Sequence, residues 1–297
     1  QGFLVAKNLG VKSATEMDGA SFCIPAGTTT ELNLADVMAA LDIEYTPLVF
    51  ETADQTFAAY EAYVDHEIGR VVQAVEDIGK LDNTLIIYIN GDNGTSAEGG
   101  LLGTPNEVAY FNGVTKMPAE TQLKWYDVWG TEETYNHMAA HWAWAFDTPF
   151  TWFKQNASRL GGIRQNMAVS WPARIKDKGG LREQFMHVID VVPTILEVAG
   201  IPAPESVDGI QQAPIEGTSF AYTFDKENAE APSRHKTQYF EMMGQWALYH
   251  EGWLLSTKVN RAPWEAFGTA NPDPLNNQVL ELYNLNEDFS QSNNIAD

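Results

Sequence analysis

Apolar residues recur at three- and four-residue spacing from Asp54 to Lys80, at Phe57, Tyr60, Val64, Ile68, Val71, Val72, Val75 and Ile78. This period predicts an amphipathic helix, and Gly79 stands where such helices end. A short polar connection leads into Leu85–Ile89, a continuous run of mostly β-branched residues that predicts a strand covered on both faces. A helix followed by such a strand predicts an α/β layer. Neither period survives between Gly99 and Trp144, and a long irregular excursion inside a compact domain points to a functional loop. Regular signals return with a short strand over Met167–Trp171, stopped by Pro172, and a helix over Phe185–Val198 ending at Gly200. Pro193 marks either a kink in that helix or its start. From His235 the chain turns β-rich, with runs joined by Gly244 and interrupted by Gly252, which predicts an antiparallel hairpin. The domain organisation that follows is an α/β domain over 1–230 and a small β-rich C-terminal subdomain over 231–297. Residues 1–46 give little beyond loop and a short helix.

The charge narrows the partners. Forty acidic against 18 basic side chains leave a formal charge of −22, a field that opposes binding to nucleic acid or to an anionic membrane. It would also repel a small anionic substrate, so an anion site here needs a local cation, either a divalent metal or a placed lysine. No run approaches the roughly 20 apolar residues of a membrane span. The first ten residues lack the basic flank and apolar core of a secretory signal. The chain reads as soluble, with the compartment open between cytoplasm and periplasm. Its one cysteine, Cys23, leaves no internal disulfide and no thiolate cluster.

Two segments carry candidate chemistry. Gly91-Asp92-Asn93-Gly94 ends the predicted strand abruptly. Asp and Asn beside glycine suit a tight turn, because their side chains bond their own backbone and tolerate left-handed conformations. The alternative is a cation site at the carboxyl end of a strand, where ligands of α/β sheets bind and where a carboxylate and an amide carbonyl offer hard oxygens to Ca²⁺ or Mg²⁺. The second segment is Thr148-Pro149-Phe150-Thr151-Trp152-Phe153-Lys154-Gln155, followed by Leu160-Gly161-Gly162-Ile163-Arg164. Alone, Lys154 is an ordinary solvated lysine beside core aromatics.

Together, however, the stretches YVDHEIGRVV, IIYINGDNGTSAEGG, ETYNHMAAHWAWAFDTPFTWFKQ, GGIRQNMAVSWPARI, HVIDVVPTILEVAGI, PIEGTSFAYTF and ELYNLNEDFSQSNNIAD resemble the arylsulfatases of the alkaline phosphatase superfamily. The resemblance runs from about Phe57 to Asp297. It implies a mixed sheet flanked by helices, with a small antiparallel C-terminal subdomain and the N-terminal strands missing. It further implies that Asp92 and Asn93 ligate a divalent cation, commonly Ca²⁺, and that Lys154 contacts the sulfate group of a small sulfate ester. Cation and ammonium would neutralise sulfate oxygens as the S–O bond breaks. Arg164 is expected to make a structural salt bridge. Arg159 replaces the histidine that many relatives carry before the glycines, and His137 and His141 are expected to line the pocket or pack the loop.

The nucleophile of this family is a formylglycine made from the cysteine of Cys-x-Pro-Ser-Arg. Cys23-Ile-Pro-Ala-Gly departs from that pattern at Ala26 and Gly27 and lies too close to Asp92 for the family's order of elements, so Cys23 is read as structural. The partner carboxylates of the metal site are also missing. The expectation is therefore the C-terminal portion of a sulfatase, inactive alone, with a weak or absent cation site because Asp92 and Asn93 fall short of the 6–8 oxygens that Ca²⁺ prefers. An uncovered sheet edge would invite self-association or pairing with the missing N-terminal portion. Two alternatives remain: a phosphonate or phosphate monoester hydrolase of the same superfamily, and a noncatalytic binding or assembly protein on this fold.

Overall fold

The computed structural model describes residues 16, 18, 20–25, 29–50, 53–91, 93–114, 116–265 and 277–296. The chain divides into two compact units, 1–82 and 83–297.

The first unit runs β1 (Ala20–Pro25), α1 (Thr29–Ala40), β2 (Tyr45–Phe50) and α2 (Ala53–Asp77). β1 and β2 pair in parallel, from Ala20 opposite Tyr45 to Pro25 opposite Phe50. Parallel neighbours cannot be joined by a tight turn, and α1 is the crossover that joins them. Leu34, Met38 and Ile43 are buried here. This order exceeds the loop and short helix expected from the sequence, because each strand is short and Pro47 breaks the pattern of β2. Helix α2 lies where the apolar period placed it. Val64, Ile68, Val72 and Val75 are half-buried along one face, while Tyr60, Val71 and Ile78 are exposed. The covered stripe is narrower than the pattern suggested.

The second unit contains β3 (Ile86–Asn90), α3 (Glu107–Phe111), α4 (Ala119–Gln122), α5 (Ala140–Asp147), α6 (Leu160–Ile163), β4 (Asn166–Ser170), α7 (Val191–Ala199), β5 (Ser206–Val207), β6 (Ile210–Gln211) and β7 to β10. β3 pairs antiparallel with β4, from Ile86 opposite Ser170 to Asn90 opposite Asn166. Leu85, Ile87, Met167, Val169 and Trp171 pack on buried Phe220, Ala221 and Phe224. Ile86–Ile89 are only half-buried, so the strand is not covered on both faces as its composition predicted. Its partner among the described strands is β4 alone, and one apolar cluster receives one face of the ribbon.

Pro193 marks a helix start. It sits in the first turn of α7, where its missing N–H costs no intrahelical bond, and left-handed Gly200 (φ 67°) closes the other end. Buried Asp190 fixes this N-terminus by accepting from the amides of His187 and Thr218 at 2.8 and 2.7 Å and from His235 Nδ1 at 2.8 Å.

The expected C-terminal hairpin is a four-stranded antiparallel sheet of β7 (Thr237–Met242), β8 (Gln245–His250), β9 (Trp253–Thr257) and β10 (Leu280–Asn284), in the order β10-β9-β8-β7. Met243-Gly244 (φ 53° and 79°) and Glu251-Gly252 (φ 43° and 89°) form its two-residue turns. Positive φ at both positions is the type I′ geometry, whose twist matches the flanking strands. The fold is thus mixed α/β with an antiparallel C-terminal sheet. Among the described residues, no helix is long and apolar enough to cross a membrane.

Candidate functional site

The loop after β3 is held by close backbone approach. Gly94 is left-handed (φ 80°), and a Cβ there would stand 2.0 Å from the carbonyl oxygen of Gly161. Only glycine fits such an approach. The next residue, Thr95, donates its amide at 3.2 Å and its hydroxyl at 2.8 Å to Asp147 at the end of α5. Burial pushes the Asp147 carboxyl above its ordinary range, and the Thr95 bonds oppose this in part. The amide of Lys154 donates to Thr95 O at 3.1 Å. The strand-end loop and the lysine loop, some sixty residues apart in sequence, are therefore stitched together. Asn93 lies on this loop, exposed, and Asp92 lies outside the described residues.

Lys154 points its ammonium at Glu98, with Nζ 2.9 Å from Oε2. Gln155, left-handed at φ 78°, donates its amide to the other carboxylate oxygen at 2.8 Å. Ser96 Oγ donates to Oε2 at 2.8 Å. Glu98 is 4% exposed. Burial raises its pKa, but the bonds from Lys154, Ser96 and Gln155 outweigh that, and the carboxyl sits below its ordinary range. Sequence reasoning missed this residue. No local signal marked it, because the lysine that pairs with it lies 56 residues later in the chain.

The irregular excursion closes on itself through bridges Thr104–His137 and Asn106–Tyr135, which deliver His137 to the same place. Its Nε2 meets Ser96 Oγ at 2.8 Å, and Gly99 N–H donates to Nδ1 at 3.2 Å. Nδ1 also lies 3.0 Å from the Met138 carbonyl oxygen, so Gly99 N–H and Met138 O both face this nitrogen while Nε2 links to Ser96, which donates to Glu98. His141 instead is exposed beside Trp142.

The two arginines bind elsewhere. Arg159 is buried with its guanidinium on Glu281 and on the Tyr283 hydroxyl, the latter at 2.8 Å. Arg164 lies 4.3 Å from the centre of the Phe289 ring and 5.2 Å from that of Phe150. The expected salt bridge is not found among the described residues, and the partners of Arg164 are aromatic faces. Cys23 lies on β1 opposite Leu48.

Among the described residues, Glu98, Glu107 and His137 bring ligand-type atoms within 4.8 Å of one another. The trio does not fit an ion. Both Glu98 oxygens already accept hydrogen bonds, the Lys154 ammonium supplies the positive charge, and both His137 nitrogens are engaged.

Comparison with known proteins gives two kinds of relative. The sulfatase family model matches residues 29–201. The arylsulfatase of Klebsiella aerogenes is 27% identical over 190 residues, covering 64% of this chain and 37% of that protein. An uncharacterized sulfatase of Schizosaccharomyces pombe is 32% identical over 157 residues, covering 50% and 25%. A different kind is the general L-amino acid-binding periplasmic protein AapJ of Rhizobium johnstonii, 53% identical over 62 residues, or 21% of this chain and 18% of that protein. The chain thus spans well under half the length of these curated relatives. With its strand-end loop tied to its lysine loop and more than half its residues matched by the family model, the chain belongs to the sulfatase family.

Proposed function

We propose that residues from about Phe57 onward are the C-terminal portion of a sulfate ester hydrolase of the arylsulfatase type. In this reading Lys154 contacts the sulfate group, and Asp92 and Asn93 hold a divalent cation, Ca²⁺ or Mg²⁺. The observation that carries the reading is the bond from Lys154 N to Thr95 O, two residues past Asn93. It sets a cationic side chain beside the loop that offers cation ligands, so two positive charges could face one oxyanion despite a net charge of −22. A bound cation would supply charge neutralisation on sulfate oxygens. The residues of this chain would orient the anion and exclude the alternatives to it.

Turnover needs the formylglycine nucleophile, for which this chain has no Cys-x-Pro-Ser-Arg, so the isolated chain is inactive and binds Ca²⁺ weakly. Hydrolysis of an aryl sulfate by the purified chain would overturn that statement. Calorimetric titration of Ca²⁺ into wild type and Asp92→Ala tests the cation ligands, and tight binding that survives the substitution would remove Asp92 from that role.

A second reading applies to the start of the chain. The quoted sulfatase motifs begin near Phe57, although the family model reaches back to residue 29, and the stretch before Phe57 has about the length of the match to the amino acid-binding protein. The parallel pair β1 and β2 with its crossover α1 is the kind of unit from which α/β binding lobes are built. In this reading the stretch before α2, not the whole first unit, is a piece of an amino acid-binding lobe joined to a sulfatase portion near the start of α2. The coding sequence upstream of Gln1 decides it. Continuation into more of a binding lobe is the expected result, and an in-frame Cys-x-Pro-Ser-Arg would refute it.

A further inference from the structure

We infer that Glu98 is the positioning residue for Lys154, and that Ser96 and His137 hold Glu98 in turn. The inference rests on the reading of Lys154 as the sulfate contact and goes beyond it, because Glu98, although it falls within IIYINGDNGTSAEGG, was given no role by the resemblance.

Three features carry it. First, Glu98 is buried to 4% exposure, whereas the Lys154 side chain is 33% exposed, so the carboxylate is the fixed member and the ammonium reaches the surface. Second, the carboxylate does not depend on Lys154 for its place. Gln155 donates to one oxygen at 2.8 Å and Ser96 to the other at 2.8 Å, and His137 orients Ser96. An ammonium has three donors, and one contact with Glu98 leaves two for an anion without breaking the ion pair. Third, Glu98 follows Asn93 by five residues on one loop, and Lys154 is bonded to that loop through Thr95 O at 3.1 Å. One loop thereby sets both the cation-ligand position and the counter-ion of the lysine, which fixes the spacing of two positive charges before an anion arrives. Such pre-organisation makes an ammonium useful at a reacting oxyanion, since a loose lysine would have to be ordered on binding.

The test uses the full chain and inorganic sulfate as the probe. Acetylation of Lys154 by acetic anhydride is followed by peptide mass mapping across a sulfate series, with chloride at matched ionic strength as the screening control. Wild type should be protected by sulfate at Lys154 and not at Lys176. Glu98→Gln should need roughly tenfold more sulfate for equal protection, the scale of one lost charge-assisted hydrogen bond. Glu98→Asp should recover part of the loss. A purely structural Glu98 would lower the melting temperature and leave the protecting concentration where it was. Protection of Glu98→Gln at the wild-type concentration or below therefore overturns the inference while leaving the sulfate role of Lys154 standing. Absence of protection in wild type itself removes that role and this inference with it. If Glu98→Gln does not fold, Gln155→Ala removes one donor to Glu98 at constant charge and should raise the protecting concentration about two- to threefold; an unchanged value counts against the inference.

Discussion

Two ion pairs whose cations stand five residues apart on one loop, one pair buried and the other open on its cationic side, do different work. Arg159 and Glu281 have side chains each about 10% exposed. The two terminal nitrogens of the guanidinium bond inside the protein, to Glu281 and Tyr283, and the group lies across the Tyr283 ring, while the buried Nε has no hydrogen-bond partner among the described residues. It ties the loop before α6 to strand β10. Lys154 and Glu98 share only the buried carboxylate, with the cation 33% exposed against 6% for the acid. A pair closed on both sides holds elements together, and a pair open on the cationic side leaves donors for a ligand. The difference also follows the chemistry of the two cations. A planar guanidinium holds its five donors in a fixed fork, whereas an ammonium on a flexible stem keeps rotatable donors.

Substitutions that remove one partner from each pair should separate these roles. Arg159→Met should cost the most stability, about 3–5 kcal/mol by chemical denaturation, because Glu281 would remain buried and unpaired. A cost below that of Lys154→Met would reverse the comparison. Gly94→Ala comes next, at roughly 2 kcal/mol. It demands an unfavourable φ of 80° and sets a methyl carbon on the Gly161 carbonyl, so the strand-end and lysine loops must part. Wild-type stability in that variant would show that the two loops are not held as described. Lys154→Met should cost only about 1–2 kcal/mol, since Gln155 and Ser96 continue to bond Glu98 and its lost partner was partly in water.

The smallest effect is the pH dependence of the open pair. The Glu98 carboxyl is held below its ordinary value in the folded chain. Its ionised form therefore stabilises the fold above the ordinary glutamate range, and that contribution is lost as pH falls through the lowered folded value. Asp147 has the opposite shift, raised chiefly by burial. Its charge opposes folding at higher pH, and that penalty disappears on acidification. Melting curves in acid should accordingly fall less steeply for Glu98→Gln and more steeply for Asp147→Asn than for wild type. Parallel curves would mean that neither carboxyl changes affinity for protons on folding.

How much of this was legible depended on the range of the signal. Helix α2 and strands β3 and β4 could be read because their apolar periods are local. The end of α7 could be read because Gly200 punctuates it, whereas the helix expected from Phe185 starts at Val191, with Pro193 in the first turn. Asp92, Asn93 and Lys154 were named from motifs. The four strands at the C-terminus were read as one hairpin, although Met243-Gly244 and Glu251-Gly252 both carried turn chemistry. Glu98 was invisible because nothing local distinguishes a glutamate that meets a lysine 56 residues later. Arg159 was judged for the histidine it replaces, and its partner Glu281 lies 122 residues away.

The sequence by itself determined the family, the helical and strand periods, the acidic field and the residue types able to meet a cation and a sulfate oxyanion. Tertiary structure alone decided that the strand-end and lysine loops are bonded, that Glu98 is the fixed counter-ion of an exposed ammonium, and that Arg159 serves the C-terminal sheet. The physical reason is that periodicity and turn chemistry act between near neighbours along the chain. Burial, charge pairing and backbone contact between glycines depend on distances that exist only once remote segments have packed.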